Sequence, residues 1–273
     1  MLGTTKPQNK FQKLHSKVEF VPGMSLEQFS YQVWSQLQTS KIVQTIGVDQ
    51  NLSLHEFWDR ASELIGDCML LSEDPITGER VGNKWLEIRY DSSIQNAYRH
   101  SKNAQPLHTD GSYVGDSPYI SFFFCIHQAQ EGGATVFLDS DELIRLLQES
   151  DPQLLEDLCQ TTVCFAKDKD FKRRPIIDFD QFGSNLNFNY YCVSPQETDF
   201  AKELVQRFHD FLQTKIVAAD KTYPIKLQPG EALFFHDDRL IHGRKAFQPT
   251  RESERFFWKS ALKLKPTFPL MEN

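Results

Sequence analysis

Residues 119–139 read YISFFFCIHQAQEGGATVFLD. Two runs rich in β-branched and aromatic residues, Tyr119–His127 and Ala134–Leu138, flank a turn that carries Gly132-Gly133. Short runs of this kind, bounded by glycine-rich turns, read as β-strands. Working outward, the same texture recurs over about residues 84–265: Trp85–Tyr90, Thr161–Ala166, Pro175–Phe179, Leu186–Tyr191, Tyr223–Leu227, Ala232–His236 and Phe256–Leu264, with Pro229-Gly230 as a further turn. Two helical patterns interrupt the series. One covers Ser140–Gln148 and continues as Pro152–Leu158; the other opens at Ser194-Pro195 and carries Phe200, Leu204, Phe208 and Leu212. Many short strands with few helices predict a mainly β fold with flanking helices. An antiparallel sandwich or jelly roll fits better than a parallel α/β sheet.

Upstream, residues 1–83 read as a helical N-terminal part. Ser25 with Gln28 has the spacing of a capping box, followed by Leu26, Phe29, Val33, Trp34 and Leu37 at helical intervals. Ser53 with Glu56 has the same spacing, ahead of Leu54, Phe57, Trp58, Ala61, Leu64 and Ile65, with Gly66 as the stop. The first residues, MLGTTKPQNKFQKL, lack an apolar stretch and read as a frayed leader rather than a secretory signal. Repeats, low-complexity tracts and Gly/Ser linkers are absent, so residues 1–273 are expected to form a single domain with its jelly-roll core over 84–265.

Composition narrows the function. Hydrophobic residues make up 40% and charged residues 25%, as in ordinary globular proteins. No apolar run approaches the roughly 18 residues of a membrane span, so no membrane partner is expected. Net charge is -7, and the longest of the basic clusters, Lys167 to Arg174, is interrupted by Asp168 and Asp170. It reads as a solvated loop, and no nucleic-acid partner is expected. The five cysteines form no CxxC pair; with an odd count this points to a reduced, cytoplasmic protein rather than a disulfide framework. Oligomeric state is left open.

Three signals carry chemistry. In Leu107-His108-Thr109-Asp110-Gly111, residues 108 and 110 would share a face in extended chain and could present an imidazole and a carboxylate to one ion. In Phe234-Phe235-His236-Asp237-Asp238-Arg239-Leu240-Ile241-His242-Gly243-Arg244, an apolar strand runs into a polar segment ending at His242, a third ligand. Two histidines and one carboxylate are the facial triad of non-haem Fe(II) oxygenases, with positions left open for co-substrate and O2. The same set could hold zinc, although tetrahedral zinc lacks room for a chelating keto acid. The third signal is Arg255, 13 residues after His242 at the head of Phe256-Phe257-Trp258. A buried guanidinium needs an anion, and the distal carboxylate of 2-oxoglutarate is a suitable one. Thr135, after Gly132-Gly133, could add a hydroxyl donor to it.

This order of motifs resembles the TauD/TfdA family of Fe(II)/2-oxoglutarate dioxygenases over roughly residues 100–265. HTDGSYV at 108–114, EGGATVFLD at 131–139 and HGRKAF at 242–247 are most similar to its glutarate 2-hydroxylase (CsiD-like) branch. The resemblance implies a double-stranded β-helix of cupin-like type and an oxidoreductase that uses Fe(II), 2-oxoglutarate and O2. Such an enzyme hydroxylates an unactivated C–H bond of a small-molecule substrate, releasing succinate and CO2. It implies His108, Asp110 and His242 as the catalytic metal ligands, and Thr135 and Arg255 as the pair that holds the co-substrate. Asp110 occupies the place that related halogenases leave to chloride, which favours hydroxylation. The alternatives are desaturation or ring closure of a natural-product intermediate with the same cofactors, a zinc hydrolase, or a jelly-roll binding protein without turnover.

The chain departs from the family pattern in places. His236-Asp237-Asp238 stands where Asp-Asn is common, and Asp237 could orient His242 by a hydrogen bond. Lys259 stands where the family has a second Arg, and Asn187 where the glutarate branch carries an Arg toward substrate. Arg244 could meet the inner carboxylate of 2-oxoglutarate or the substrate. With Arg244 and Lys259 as the nearest cations, a carboxylate-bearing substrate is expected.

Overall fold

The computed structural model describes residues 10–70, 74, 81–94, 97–115 and 120–269. The N-terminal third contains β1 (Lys13–Glu19), α1 (Leu26–Leu37), β2 (Ser40–Ile46), α2 (Leu54–Ile65), β3 (Gly66–Cys68) and β4 (Leu86–Arg89). The middle contains β5 (Gln105–His108), β6 (Ile120–His127), β7 (Thr135–Asp139), α3 (Ser140–Ser150) and α4 (Pro152–Gln160). Two hairpins follow, β8 (Thr162–Lys167) with β9 (Asp170–Pro175) and β10 (Ile177–Asp180) with β11 (Gly183–Leu186). The chain continues through α5 (Asp199–Phe211), β12 (Tyr223–Ile225), β13 (Ala232–His236), β14 (Leu240–Arg244) and β15 (Phe256–Leu264).

A major sheet orders its strands β1-β2-β13-β6-β15-β3, with β4 paired to β15, and a minor sheet runs β12-β7-β14-β5. From β5 to β7 and again from β12 to β15 the chain steps between the two sheets at every strand. Apart from β1–β2 the pairs are antiparallel. This winding is the double-stranded β-helix that the motif order implied.

Period-two alternation sorts the core into layers. On β6, Ile120, Phe122 and Phe124 face the N-terminal helices with Trp58 and Phe234. Phe123 and Cys125 face inward with Phe137, Phe235 and Phe257. The outer face of the minor sheet, with Leu107, Val136, Leu138 and Ile241, is covered by α3, α4 and α5. Both sheets are thus clamped from outside by helices, and the space between them is left for a site.

Several expectations are corrected. Residues 1–83 are not simply helical, because β1 and β2 extend the major sheet; their alternation is masked by burial on both faces of β2, which reads as a continuous run. Of the N-terminal leader, residues 1–9 lie outside the described residues, but Phe11 is buried against His236 and Lys13 already belongs to β1. The Ser25 capping box forms, whereas Ser53 caps α2 without a side-chain hydrogen bond. Gly66 ends α2 for a different reason than a left-handed turn: a Cβ there would meet Lys263 O at 2.5 Å. The basic segment read as a loop is largely the strand β9, paired along its length with β8. The last helix starts at Asp199 under a Thr198 cap rather than at Ser194-Pro195. The run Leu186–Tyr191 is not a strand, since β11 ends at Leu186 and a 3-10 turn follows at Tyr190–Cys192. None of the described helices is long and apolar enough to cross a membrane.

Candidate active site

β5 and β14 lie side by side, and their register sets His242 opposite His108. Their neighbours Leu107 and Ile241 face the helix-covered layer, so both imidazoles turn inward between the sheets. Asp110 reaches the same point by another route than expected. β5 stops at His108 and the chain turns, so the carboxylate is returned by the turn rather than by strand alternation. His108 Nε2 lies 3.6 Å from Asp110 Oδ1, and His242 Nε2 lies 3.7 Å from Asp110 Oδ2. One ligand atom from each of the three residues falls within 4.8 Å of the others. The segment after β13, read as polar, is the strand β14, buried throughout.

The surroundings set the state of each group. His108 Nδ1 donates to Pro106 O at 2.9 Å, which turns the lone pair of Nε2 toward the site, where the Gln105 amide meets it at 3.1 Å. His242 is fully buried. Burial above all, with His108 and Lys259 adding, holds its pKa well below the ordinary value against the pull of Asp110, so the ring is neutral. Its Nδ1 has no hydrogen-bond partner and lies 3.6 Å from Asp237 Oδ1. Burial pushes the Asp110 carboxyl upward, but the Lys259 ammonium, His242 and His108 outweigh it and keep it ionised. Lys259 pairs with Asp110 Oδ1, and Ser121 Oγ donates to Oδ2 at 2.6 Å. The imidazole nitrogens of His108 and His242 and the Asp110 carboxylate therefore converge on one point, a donor set that fits Fe(II).

Asp237 acts chiefly on the backbone. It accepts from Asp110 N at 2.9 Å and Gly111 N at 3.1 Å, which pins the turn that delivers Asp110. Burial and then the charge of Asp110 push its pKa up to about 7. At 3.6 Å from His242 Nδ1 it stands just outside direct hydrogen-bond reach.

A cavity of about 220 Å³ opens on the triad. Its buried end holds Thr135, Arg244 and Arg255. Arg255 Nε donates to Gly133 O at 3.0 Å, and the guanidinium carbon sits 4.2 Å over the Phe257 ring. Among the described residues no carboxylate pairs with it. Burial, with the charge of Arg244 second, lowers its pKa to about 9. An unpaired buried cation is costly, and here it faces a cavity. Arg244 is anchored instead by the carbonyls of Tyr98, Ser101 and Asn103. Lys259 is half-buried, with its ammonium on Asp110. Asn187 does not line this cavity; its amide donates to Ser112 O at 3.2 Å behind the turn. His236 faces away and binds Leu37 O.

The lining also includes Gln105, Tyr113, Ser121 and Lys167, which motif spacing did not single out. Ser121 was legible in principle, since it shares the inward face of β6 with Phe123. Gly133 has φ +70, and a Cβ on it would meet Arg255 Cδ at 3.1 Å. Gly133→Ala should therefore lower stability by about 1–2 kcal/mol through backbone strain, and weaken 2-oxoglutarate binding by moving Arg255. Thermal unfolding with a 2-oxoglutarate titration checks both effects.

The description "Taurine catabolism dioxygenase TauD, TfdA family" matches residues 53–259. Gamma-butyrobetaine dioxygenase of Homo sapiens is 26% identical over 195 residues, covering 65% of this chain and 50% of that protein. The chain thus spans about half the length of the curated relatives it matches first. An asparagine oxygenase solved with Fe(II), 2S,3S-3-hydroxyasparagine and succinate superposes with a TM-score of 0.65 at 13% identity, over 87% of this chain and 78% of that one. PvcB of Pseudomonas aeruginosa, described as an Fe, alpha-ketoglutarate dependent oxygenase from an isonitrile synthetic pathway, superposes with a TM-score of 0.61 at 18% identity, over 95% and 89%.

Proposed function

The chain belongs to the TauD/TfdA family of Fe(II)- and 2-oxoglutarate-dependent dioxygenases, and on that premise we propose that it hydroxylates an unactivated C–H bond of a small, carboxylate-bearing substrate. One observation carries the reading. The His108–Asp110–His242 cluster and the unpaired, buried Arg255 open on a single cavity. A zinc hydrolase would have no use for that arginine beside an open coordination sphere. One domain over residues 1–273 goes with this reading.

His108, Asp110 and His242 hold Fe(II) in this proposal, with Asp237 pinning the turn that positions Asp110. Thr135 and Arg255 hold the distal carboxylate of 2-oxoglutarate at the buried end. Arg244, fixed by three carbonyls, adds positive charge beside it. When bound, the metal and keto acid supply oxidising power from O2 by oxidative decarboxylation, giving succinate and CO2. The protein's part is to fix both in register and to line the cavity with Phe123 and Phe257, which limits water.

Substrate recognition falls to the open end. Glutarate 2-hydroxylase is the branch nearest in motif, but Asn187 offers no cation where that branch has one. Lys259 takes that role here. Gamma-butyrobetaine, the substrate named for the human relative, carries a quaternary ammonium. This cavity suits such a group poorly, because its one carboxylate among the described lining residues is Asp110, already committed to metal and Lys259.

The test is a screen of small carboxylates with Fe(II), 2-oxoglutarate and O2. Succinate should form in step with a product heavier by one oxygen. A product lighter by two hydrogens would reassign the outcome to desaturation or ring closure. Turnover of neutral or cationic compounds alone would overturn the reading. Lys259→Met should raise KM for the carboxylate substrate about 10–100-fold, as expected for losing a charged hydrogen bond of about 1.5–3 kcal/mol. The 2-oxoglutarate constant should move little. An equal rise in both constants would show that Lys259 acts through its ion pair with Asp110 rather than on the substrate.

A further inference from the structure

β4 is the four-residue strand Leu86-Glu87-Ile88-Arg89, in which apolar and charged residues alternate. Period two puts Glu87 and Arg89 on one face, where they form an ion pair at 2.9 Å, and Leu86 and Ile88 on the other. The apolar pair lines the cavity. Register then fixes its neighbours. Leu86 stands across from Lys259 on β15, which stands across from Phe123 on β6. Ile88 stands across from Phe257, which stands across from Cys125. The inward face of the major sheet thus carries two rows here, Leu86–Lys259–Phe123 and Ile88–Phe257–Cys125. Both rows are apolar at every place except Lys259.

Ile88 packs against the inner core that contains Phe257 and Cys125. Leu86 has no such place. Among the described residues it joins none of the three apolar clusters, yet it is half-buried and lines the cavity. An apolar side chain held at a cavity wall rather than in the core is stabilised when a ligand covers it. Lys259 is its polar counterpart. An ammonium has three donors; Asp110 takes one, and the Phe123 ring centroid lies 5.8 Å from the nitrogen. Three other cations of the lining are engaged by protein groups. Lys84 meets Asp59 and Glu63 at 2.8 and 2.7 Å, Arg99 donates to His100 Nε2 at 3.1 Å, and the Lys167 ammonium lies 5.5 Å from the Tyr113 ring centroid.

We infer that Leu86 and Ile88 form an apolar subsite beside Lys259, so that the substrate is an amphipathic monocarboxylate. Its one carboxylate meets Lys259, and its hydrocarbon body, alkyl or aryl, lies along β4. Two residues of strand, at about 3.3 Å each, give this strip a length of roughly 7 Å. β4 lies one strand beyond β15, about 4.8 Å further from β6. Asp110 is held from the other side, by Ser121 on β6 and by Lys259. The body therefore points away from Asp110, and the carboxylate end stays beside it. The inference rests on the oxygenase reading and narrows its substrate class. A second charge at the far end of the substrate would be desolvated against Leu86, which is costly.

The test measures binding rather than turnover. Calorimetric titrations are run anaerobically on protein saturated with Fe(II) and 2-oxoglutarate, so that the probes cannot occupy the co-substrate site. The probes are acetate, hexanoate, 3-phenylpropionate, adipate and 6-aminohexanoate. Hexanoate or 3-phenylpropionate should bind at least tenfold tighter than acetate, a gap of 1.4 kcal/mol or more. The tighter of the two tells an alkyl body from an aryl one. Adipate and 6-aminohexanoate, each charged at the far end, should lose that gain. Leu86→Ala should weaken hexanoate about three- to tenfold, and Leu86→Met should retain it. Acetate and 2-oxoglutarate affinities should stay unchanged in both variants, with thermal unfolding as the check that each is folded. The wild-type series stands on its own should a variant fail to fold. Hexanoate and 3-phenylpropionate no tighter than acetate, adipate as tight as hexanoate, or the full preference kept by folded Leu86→Ala would overturn the subsite. Failure of the wild type to bind Fe(II) and 2-oxoglutarate would instead overturn the oxygenase reading on which it stands.

Discussion

His108→Ala and His242→Ala should each abolish Fe(II) retention and reduce iron-dependent turnover below detection. Each imidazole is one of only two nitrogen donors, and a carboxylate with a single histidine holds Fe(II) poorly. The fold should survive both changes. His108 ends its strand with Leu107 still packed on the helix-covered layer, and His242 sits between Ile241 and Gly243 in a strand paired on both edges. Truncating the His242 ring gives up its contacts with Phe235, Phe137 and Phe123, which costs stability, but it leaves the backbone pairing of the strand intact, and its Nδ1 has no hydrogen bond to lose. Metal content after anaerobic loading, read beside circular dichroism, checks the expectation. A variant that folds, retains stoichiometric iron and turns over would remove the residue from the ligand set. Asp110→Ala differs in kind. It also frees Lys259 from its ion pair and leaves Ser121 without its acceptor, so loss of metal there would be accompanied by rearrangement of the substrate end.

The proposed ligands were legible because their chemistry is local. A histidine, a carboxylate two residues on and a distant histidine after an apolar strand are visible in the one-dimensional order. The reason they meet was read only in part. The extended-chain argument places residues 108 and 110 on one face, but a turn held by Asp237 does the work, through hydrogen bonds to two backbone amides that no side-chain pattern records. The strands of the β-helix were legible where aromatic and β-branched residues dominate the run, as in β6, β13 and β15. They were missed where polar or charged residues break it. β2 buries Ser40, Lys41, Gln44 and Thr45, β9 is rich in charged residues, and β14 mixes His, Gly and Arg within a fully buried strand. Asn187 was singled out by aligned position, yet its side chain points behind the turn; position along a chain does not fix direction across a sheet.

Arg255→Ala should raise the dissociation constant for 2-oxoglutarate by roughly two orders of magnitude, or about 2.8 kcal/mol at 1.4 kcal/mol per tenfold. The size follows from breaking a buried charge pair from one side, which commonly costs about 2–5 kcal/mol. The guanidinium is ready for an anion. It is buried, its Nε is fixed on Gly133 O, its plane lies over Phe257, and its forked NH2 groups have no protein carboxylate among the described residues. Lysine would supply the charge without the fork, so Arg255→Lys should recover only part of the loss. Arg251 is the rival in sequence, four residues earlier. It is exposed in the loop before β15 and does not line the cavity, so Arg251→Ala should leave the constant within a factor of two. Iron affinity should hold in both variants, because neither residue reaches the triad. Anaerobic titration of 2-oxoglutarate into the Fe(II)-loaded proteins decides between them. Tight binding retained by Arg255→Ala and lost by Arg251→Ala would move the co-substrate out of the buried end and leave the unpaired guanidinium without a function.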